Sequence, residues 1–115
     1  MFDNRRKLER KYLTYFSRVL DRRNNKLLGY LYDLTIEGAM VVGEVELPTG
    51  KTLPARIDLP EGLCPKKYLD IEAYVVWSSP NEEDGTFKSG LRLINTHPDE
   101  VEMLDCLIDH FGMAV

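Results

Sequence analysis

The chain has 115 residues, 43% of them hydrophobic and 30% charged, with a formal net charge of −4. That length fits one domain whose core needs no staples, and the composition excludes disordered, collagenous and disulfide-scaffold classes. Charge is unevenly spread, +6 over residues 1–26 and −10 over 27–115, so a basic arm on an acidic body excludes a whole surface made for nucleic acid and points to a local anionic partner.

Taken in order, residues 1–11 are polar and basic and are expected to form a flexible arm. They hold no signal-peptide core, and no apolar run reaches membrane-spanning length, so a cytoplasmic chain without membrane insertion is expected. Residues 12–20 carry Tyr, Leu, Phe and Val in a strand-like run. A polar turn over 21–26 joins it to a second strand at 27–32, as a hairpin. Residues 33–38 form a sharp turn, and a short apolar strand follows at 39–42. A connection over 44–50 leads to a strand at 51–59. Residues 66–78 give the clearest strand signal, with Leu69, Ile71, Ala73, Val75 and Trp77 alternating at period 2. A loop of turn formers at 80–85 precedes a strand at 86–94, with Phe87, Ser89, Leu91 and Leu93 on one face. Thr96 is placed to cap a helix over 97–111, with Asp99 three residues later and Pro98 in the first turn. Val101, Leu104, Leu107, Ile108 and Phe111 form its apolar stripe, and Gly112 its stop. Six short strands with regular turn signals suggest a small barrel or sandwich flanked by one helix. One domain thus spans 1–115, with the arm at 1–11, the β-structure at 12–95 and the helix at 97–111.

Little in the sequence promises catalysis. His97 and His110 lack Cys or carboxylate companions at metal-ligand spacing. No nucleophile elbow and no phosphate-cradling glycine loop occurs. The reading is therefore no enzyme, no metal and no cofactor. Cys64 and Cys106 stand in unrelated contexts and are expected as reduced thiols.

Two polar features remain. The arm contains Arg5 and the pair Arg6 and Arg10, four residues apart. The turn contains Asp33-x-Thr35-x-x-Gly38. Arginines offer planar bidentate donors for phosphates and for the O6/N7 edge of guanine. Asp33 can accept from guanine N1–H and N2–H, Thr35 can donate to a phosphate or a base, and Gly38 lets backbone approach a ligand. Together they describe a pocket for a compact anionic guanine nucleotide. The plain alternative is a capped turn with a solvated arm.

These motifs resemble the PilZ domain family of bacterial cyclic di-GMP receptors, whose pattern is R-x-x-x-R followed by [DN]-x-S-x-x-G. A later Val75-Val76-Trp77-Ser78 segment and Gly90-Leu91-Arg92-Leu93 are similar to the family's Trp-containing and Gly-led strands. The resemblance implies a mainly β fold, a six-stranded antiparallel barrel of split-barrel type with a C-terminal helix. It implies an arm that folds over the barrel rim onto cyclic di-GMP, with Arg5, Arg6, Arg10, Asp33, Thr35 and Gly38 in the site and Trp77 as a base-stacking residue. It also implies a protein partner in motility, biofilm or secretion machinery.

Two departures stand beside it. Thr35 occupies the usual Ser position but keeps the hydroxyl. Matching Tyr15-Phe16-Ser17-Arg18-Val19-Leu20-Asp21 to the first-strand phrase of some members places the arginine motif at Arg10 and Thr14 instead of Arg6 and Arg10. In that register the chain is a PilZ-fold protein-interaction adaptor that binds no nucleotide. A third reading, an oligonucleotide-binding barrel using the arm with Tyr12, Tyr15 and Phe16, conflicts with the acidic body, because a tracking groove needs positive charge along its length.

Overall fold

The computed structural model describes residues 11–13, 17–35, 37–59, 62 and 65–114. Among these, the elements run β1 (Lys11–Leu13), β2 (Arg18–Asp21), β3 (Lys26–Leu34), β4 (Gly38–Gly43), β5 (Thr52–Asp58), β6 (Tyr68–Pro80), β7 (Phe87–Ile94), α1 (Pro98–Phe111) and β8 (Gly112–Ala114). Six strands, in the order β2-β5-β6-β7-β4-β3, close on themselves because β2 also pairs with β3. Every ladder is antiparallel. This is the expected mainly β barrel with a helix after it, and closure removes the free sheet edges an open sheet would expose.

The core follows from period 2. Leu53, Ala55 and Ile57 of β5 and Leu69, Ile71, Ala73 and Val75 of β6 all point inward and are buried. The stripe on α1 completes it: Leu104 and Leu107 are fully buried, with Met103 and Ile108 beside them. The helix rests against β6 and also meets β1 and β8. Each fully buried leucine contributes about 1.5–3 kcal/mol, which is what fixes a helix this short to the barrel.

Several elements differ from expectation, each for a local reason. The strand expected at 12–20 is two strands, β1 and β2, both on one edge of β3. β1 pairs with Asp33 and Leu34, and β2 pairs along Lys26 to Tyr30. β8, which pairs with β1, was not expected, because three residues are too few to carry a pattern. The helix cap lies one residue later. The His97 N–H donates to Glu100 Oε1 at 2.9 Å, so His97 and Glu100 form the box around Pro98. Proline has no N–H to lose and its fixed φ suits the first helical position. Cys106, half-buried against the core, is disulfide-bonded and not the expected free thiol. The expectation for Cys64 lies outside the described residues. No helix of the described residues is long and apolar enough to cross a membrane.

The largest departure concerns Trp77. Alternation from Leu69 would point it inward, yet it is 42% exposed. The β6–β7 register passes from Val75↔Leu91 to Trp77↔Gly90. Val76 is therefore the extra residue of a β-bulge, and every side chain after it changes face.

The polar turn after β2 is built around Asp21, 5% exposed. Its carboxylate accepts from the Arg23 N–H at 2.9 Å, from Nε at 3.1 Å and from Nη2 at 2.8 Å. The side-chain bonds from Arg23 outweigh the cost of burial and hold the Asp21 pKa below its ordinary value. A folded pKa below the unfolded value of about 3.9 gives stability that is full above that value and is lost as pH falls through the lower one. Asp21→Asn is therefore expected to lower the urea midpoint at pH 7. The difference from wild type should shrink as pH is stepped below about 4; a difference unchanged down to pH 2 contradicts the account.

Candidate functional site

The β3–β4 turn organises itself. The Thr35 N–H donates to Gly38 O at 2.8 Å. Thr35 Oγ1 accepts from the N–H groups of Glu37 and Gly38, each at 3.2 Å. The hydroxyl that was expected to serve a ligand thus holds the turn's own backbone, as Ser and Thr hydroxyls do in such turns. Gly38 is needed for closeness: a Cβ there would stand 2.7 Å from the Leu91 carbonyl oxygen. The Leu93 N–H also donates to Glu37 O at 3.1 Å, so the turn is fastened to β7.

A second bulge aims this end of β3. The β3–β4 register passes from Leu31↔Val41 to Asp33↔Met40, leaving Tyr32 extra. Paired residues in an antiparallel ladder share a face. One outward row therefore reads Asp33 on β3, Met40 on β4, Gly90 on β7 and Trp77 on β6. The next row reads Gly38, Arg92 and Tyr74. On the other side lies Tyr30, Val42, Lys88 and Ser79. Asp33 is 6% exposed and engaged within the protein. The Trp77 ring lies over Gly90, where any Cβ would overlap it; glycine is what lets the indole lie flat on the sheet.

Beside these rows a groove of about 490 Å³ runs between Tyr30, Tyr32, Val42, Thr86 and Lys88. Lys88 Nζ sits 6.0 Å from the centre of the Tyr32 ring. This groove therefore combines aromatic and apolar surface with one cation, Lys88, and one carboxylate, Asp84. Among the described residues no three His, Cys, Asp or Glu side chains cluster as metal ligands would.

Of the residues singled out in the sequence, Asp33, Gly38 and Trp77 share one outer face, and Thr35 closes the turn at its end. Arg5, Arg6 and Arg10 lie outside the described residues. β1 begins at Lys11, opposite Leu34, beside the turn. Met40, Tyr74, Lys88 and Arg92 were not anticipated on this face. Their signal is present in the alternation of β4 and β7, but reading it for β6 requires knowing where the bulge falls.

Comparison with known proteins gives the following. The model of the PilZ domain family matches residues 4–110. No curated protein sequence matches. Among solved structures, the PilZ domain of YcgR from Escherichia coli with c-di-GMP is 17% identical. The TM-score is 0.67, and the match covers 91% of this chain and 89% of that one. The Bacillus subtilis inhibitor of motility, MotI/DgrA, is 19% identical with a TM-score of 0.65, over 86% of this chain. This chain spans about half the length of that protein, 49% of it. At these identities the likeness is one of fold.

Trp77 is the single tryptophan, so intrinsic fluorescence reports this face alone. Gly90→Val is expected to displace the indole, changing its emission maximum and acrylamide quenching, and to cost about 1–3 kcal/mol in urea unfolding through overpacking. An unchanged spectrum excludes the stacked geometry. Thr35→Val should lose about 0.5–2 kcal/mol by freeing two turn N–H groups, as the loss of a helix cap does. Thr35→Ser should stay within about 0.5 kcal/mol of wild type, since the accepting hydroxyl is kept.

Proposed function

This chain belongs to the PilZ domain family, and from that premise we propose that it is a cyclic di-GMP receptor domain. It would act in the cytoplasm and signal to a protein partner in motility, biofilm or secretion machinery. One observation carries the reading above all: the β1–β3 register sets Lys11 opposite Leu34 and Tyr12 opposite Asp33. The described start of β1 therefore lies beside the Asp33–Gly38 turn. This supports the register that uses Arg6 and Arg10, since the strand starts directly after the second arginine.

Each residue then has a role. Arg6 and Arg10 clamp phosphate and guanine edges with charge-assisted, bidentate bonds, and Arg5 adds charge nearby. Asp33 accepts from a guanine N1–H and N2–H. Trp77, flat over Gly90 and 42% exposed, offers a stacking surface for a base. Thr35 and Gly38 act mainly by fixing the turn, one through its internal hydrogen bonds and the other through its approach to Leu91. The arm orders over this wall when the dinucleotide arrives, and the ordered arm is what a partner reads.

Calorimetric titration with cyclic di-GMP tests the reading. Saturable binding is expected in wild type. Arg10→Ala should weaken it at least about tenfold, and Arg5→Ala by less, as each 1.4 kcal/mol of lost contact corresponds to a factor of ten. Equal losses mean the arm's register is wrong. No heat and no shift in melting temperature at tens of micromolar ligand overturn the receptor reading, and the adaptor that binds only protein then replaces it.

A further inference from the structure

The arginines of the described residues divide by what faces them. Arg18 pairs with Asp58 at 2.7 Å, Arg22 with Glu72 at 2.5 Å and Arg23 with Asp21 at 2.8 Å. Arg56 binds both oxygens of Asp70, at 2.7 and 3.1 Å, and lies 3.9 Å from the centre of the Tyr68 ring. Arg92 alone among them has no carboxylate partner. Its isolation is not for want of acids, since residues 27–115 carry sixteen against six lysines and arginines.

Its placement gives the isolation a use. Arg92 projects outward between Gly38 and Tyr74. Gly38 adds no side chain to this row, and its backbone lies against Leu91, where a Cβ would meet the carbonyl oxygen at 2.7 Å. Gly90, under the Trp77 ring, is two residues before it on the same face of β7. Alternate residues of a strand are about 6.8 Å apart, close to the separation of base and phosphate within one nucleotide. An exposed guanidinium held on a strand is already oriented for a planar anion and gives up little freedom in binding it.

We propose that Arg92 is a fixed phosphate-binding residue of this face. It takes a phosphodiester oxygen of the ligand whose base lies on Trp77. The inference rests on the receptor reading above and adds a cation that belongs to the barrel and not to the arm.

The test compares wild type, Arg92→Ala, Arg92→Lys and Arg10→Ala in titrations with cyclic di-GMP at 50 and 200 mM salt. Arg92→Ala is expected to raise Kd about tenfold or more and to flatten the salt dependence, because one phosphate contact is gone. Arg92→Lys should recover part of the affinity, since it keeps the charge and loses the bidentate fork. Without ligand, the melting temperature of Arg92→Ala should match wild type, as expected for an exposed side chain with no partner. Wild-type affinity and salt dependence in Arg92→Ala, alongside weakened Arg10→Ala, overturn this inference and leave the receptor reading standing. Absence of binding by wild type itself overturns both.

Discussion

Closure of the barrel is the constraint on which everything else depends. In a closed antiparallel sheet each strand has a fixed inside and outside, and alternation leaves no choice of face. The only local way to bring a chosen side chain to the other face is to insert a residue. Two insertions do this here, at Tyr32 on β3 and Val76 on β6. Between them they set Asp33 and Trp77 at the two ends of one outward row, across Met40 and Gly90. Neither residue would face outward if its strand kept a regular register from the core residues before it. The site face is thus a product of two register shifts, and the inserted residues themselves, Tyr32 and Val76, stay exposed.

Charge is arranged around the same closure. On the β2–β5–β6 side, guanidinium groups and carboxylates cross from strand to strand and neutralise one another, as in Arg18–Asp58, Arg22–Glu72 and Arg56–Asp70. Pairs this exposed contribute little to stability, about 0–1 kcal/mol each. Their larger consequence is that each of these three guanidinium groups already faces a carboxylate. On β7 the outward cations Lys88 and Arg92 flank Gly90 and its covering indole. An acidic protein therefore carries two cations on this strand, with Glu82, Glu83 and Asp84 near Lys88 at its far end.

Much of this was legible in the sequence. The turn formers at 21–26, 33–38 and 80–85 and the alternation in β5, β6 and β7 gave the strand count of the barrel. The stripe from Val101 to Ile108 gave the helix. The motif residues Asp33, Thr35 and Gly38 were visible because their types suit a tight turn as well as a ligand. What stayed hidden were features set by register between distant strands. Nothing local to Val76 marks it as a bulge, so alternation alone leaves Trp77 on the face of Val75 until Gly90 is seen opposite it. The role of Thr35 was likewise ambiguous, because one hydroxyl can serve a ligand or its own turn, and only the 3.2 Å contacts to Glu37 and Gly38 decide the resting state. The Cys106 disulfide was beyond sequence reasoning, since spacing along the chain does not fix proximity in the fold.

On the proposed reading, the site has two parts with different energetics. The wall formed by the turn, Trp77 and β7 is finished before ligand arrives, because its hydrogen bonds and close approaches are internal to the barrel. Its ordering cost belongs to folding and not to binding. The arm is the other part. Fixing residues 5–10 would cost about 6–12 kcal/mol at about 1–2 kcal/mol of backbone entropy per residue. Two bidentate arginines supply four charge-assisted bonds, worth together about 6–12 kcal/mol at about 1.5–3 kcal/mol each. The two quantities are of the same size, so arm closure is close to balance and is decided by whether the anion is present. Affinity for the ligand then has to come largely from the finished wall, and responsiveness from the arm. A stiffer arm would bind more tightly but would be closed whether or not ligand was there, and would carry no signal.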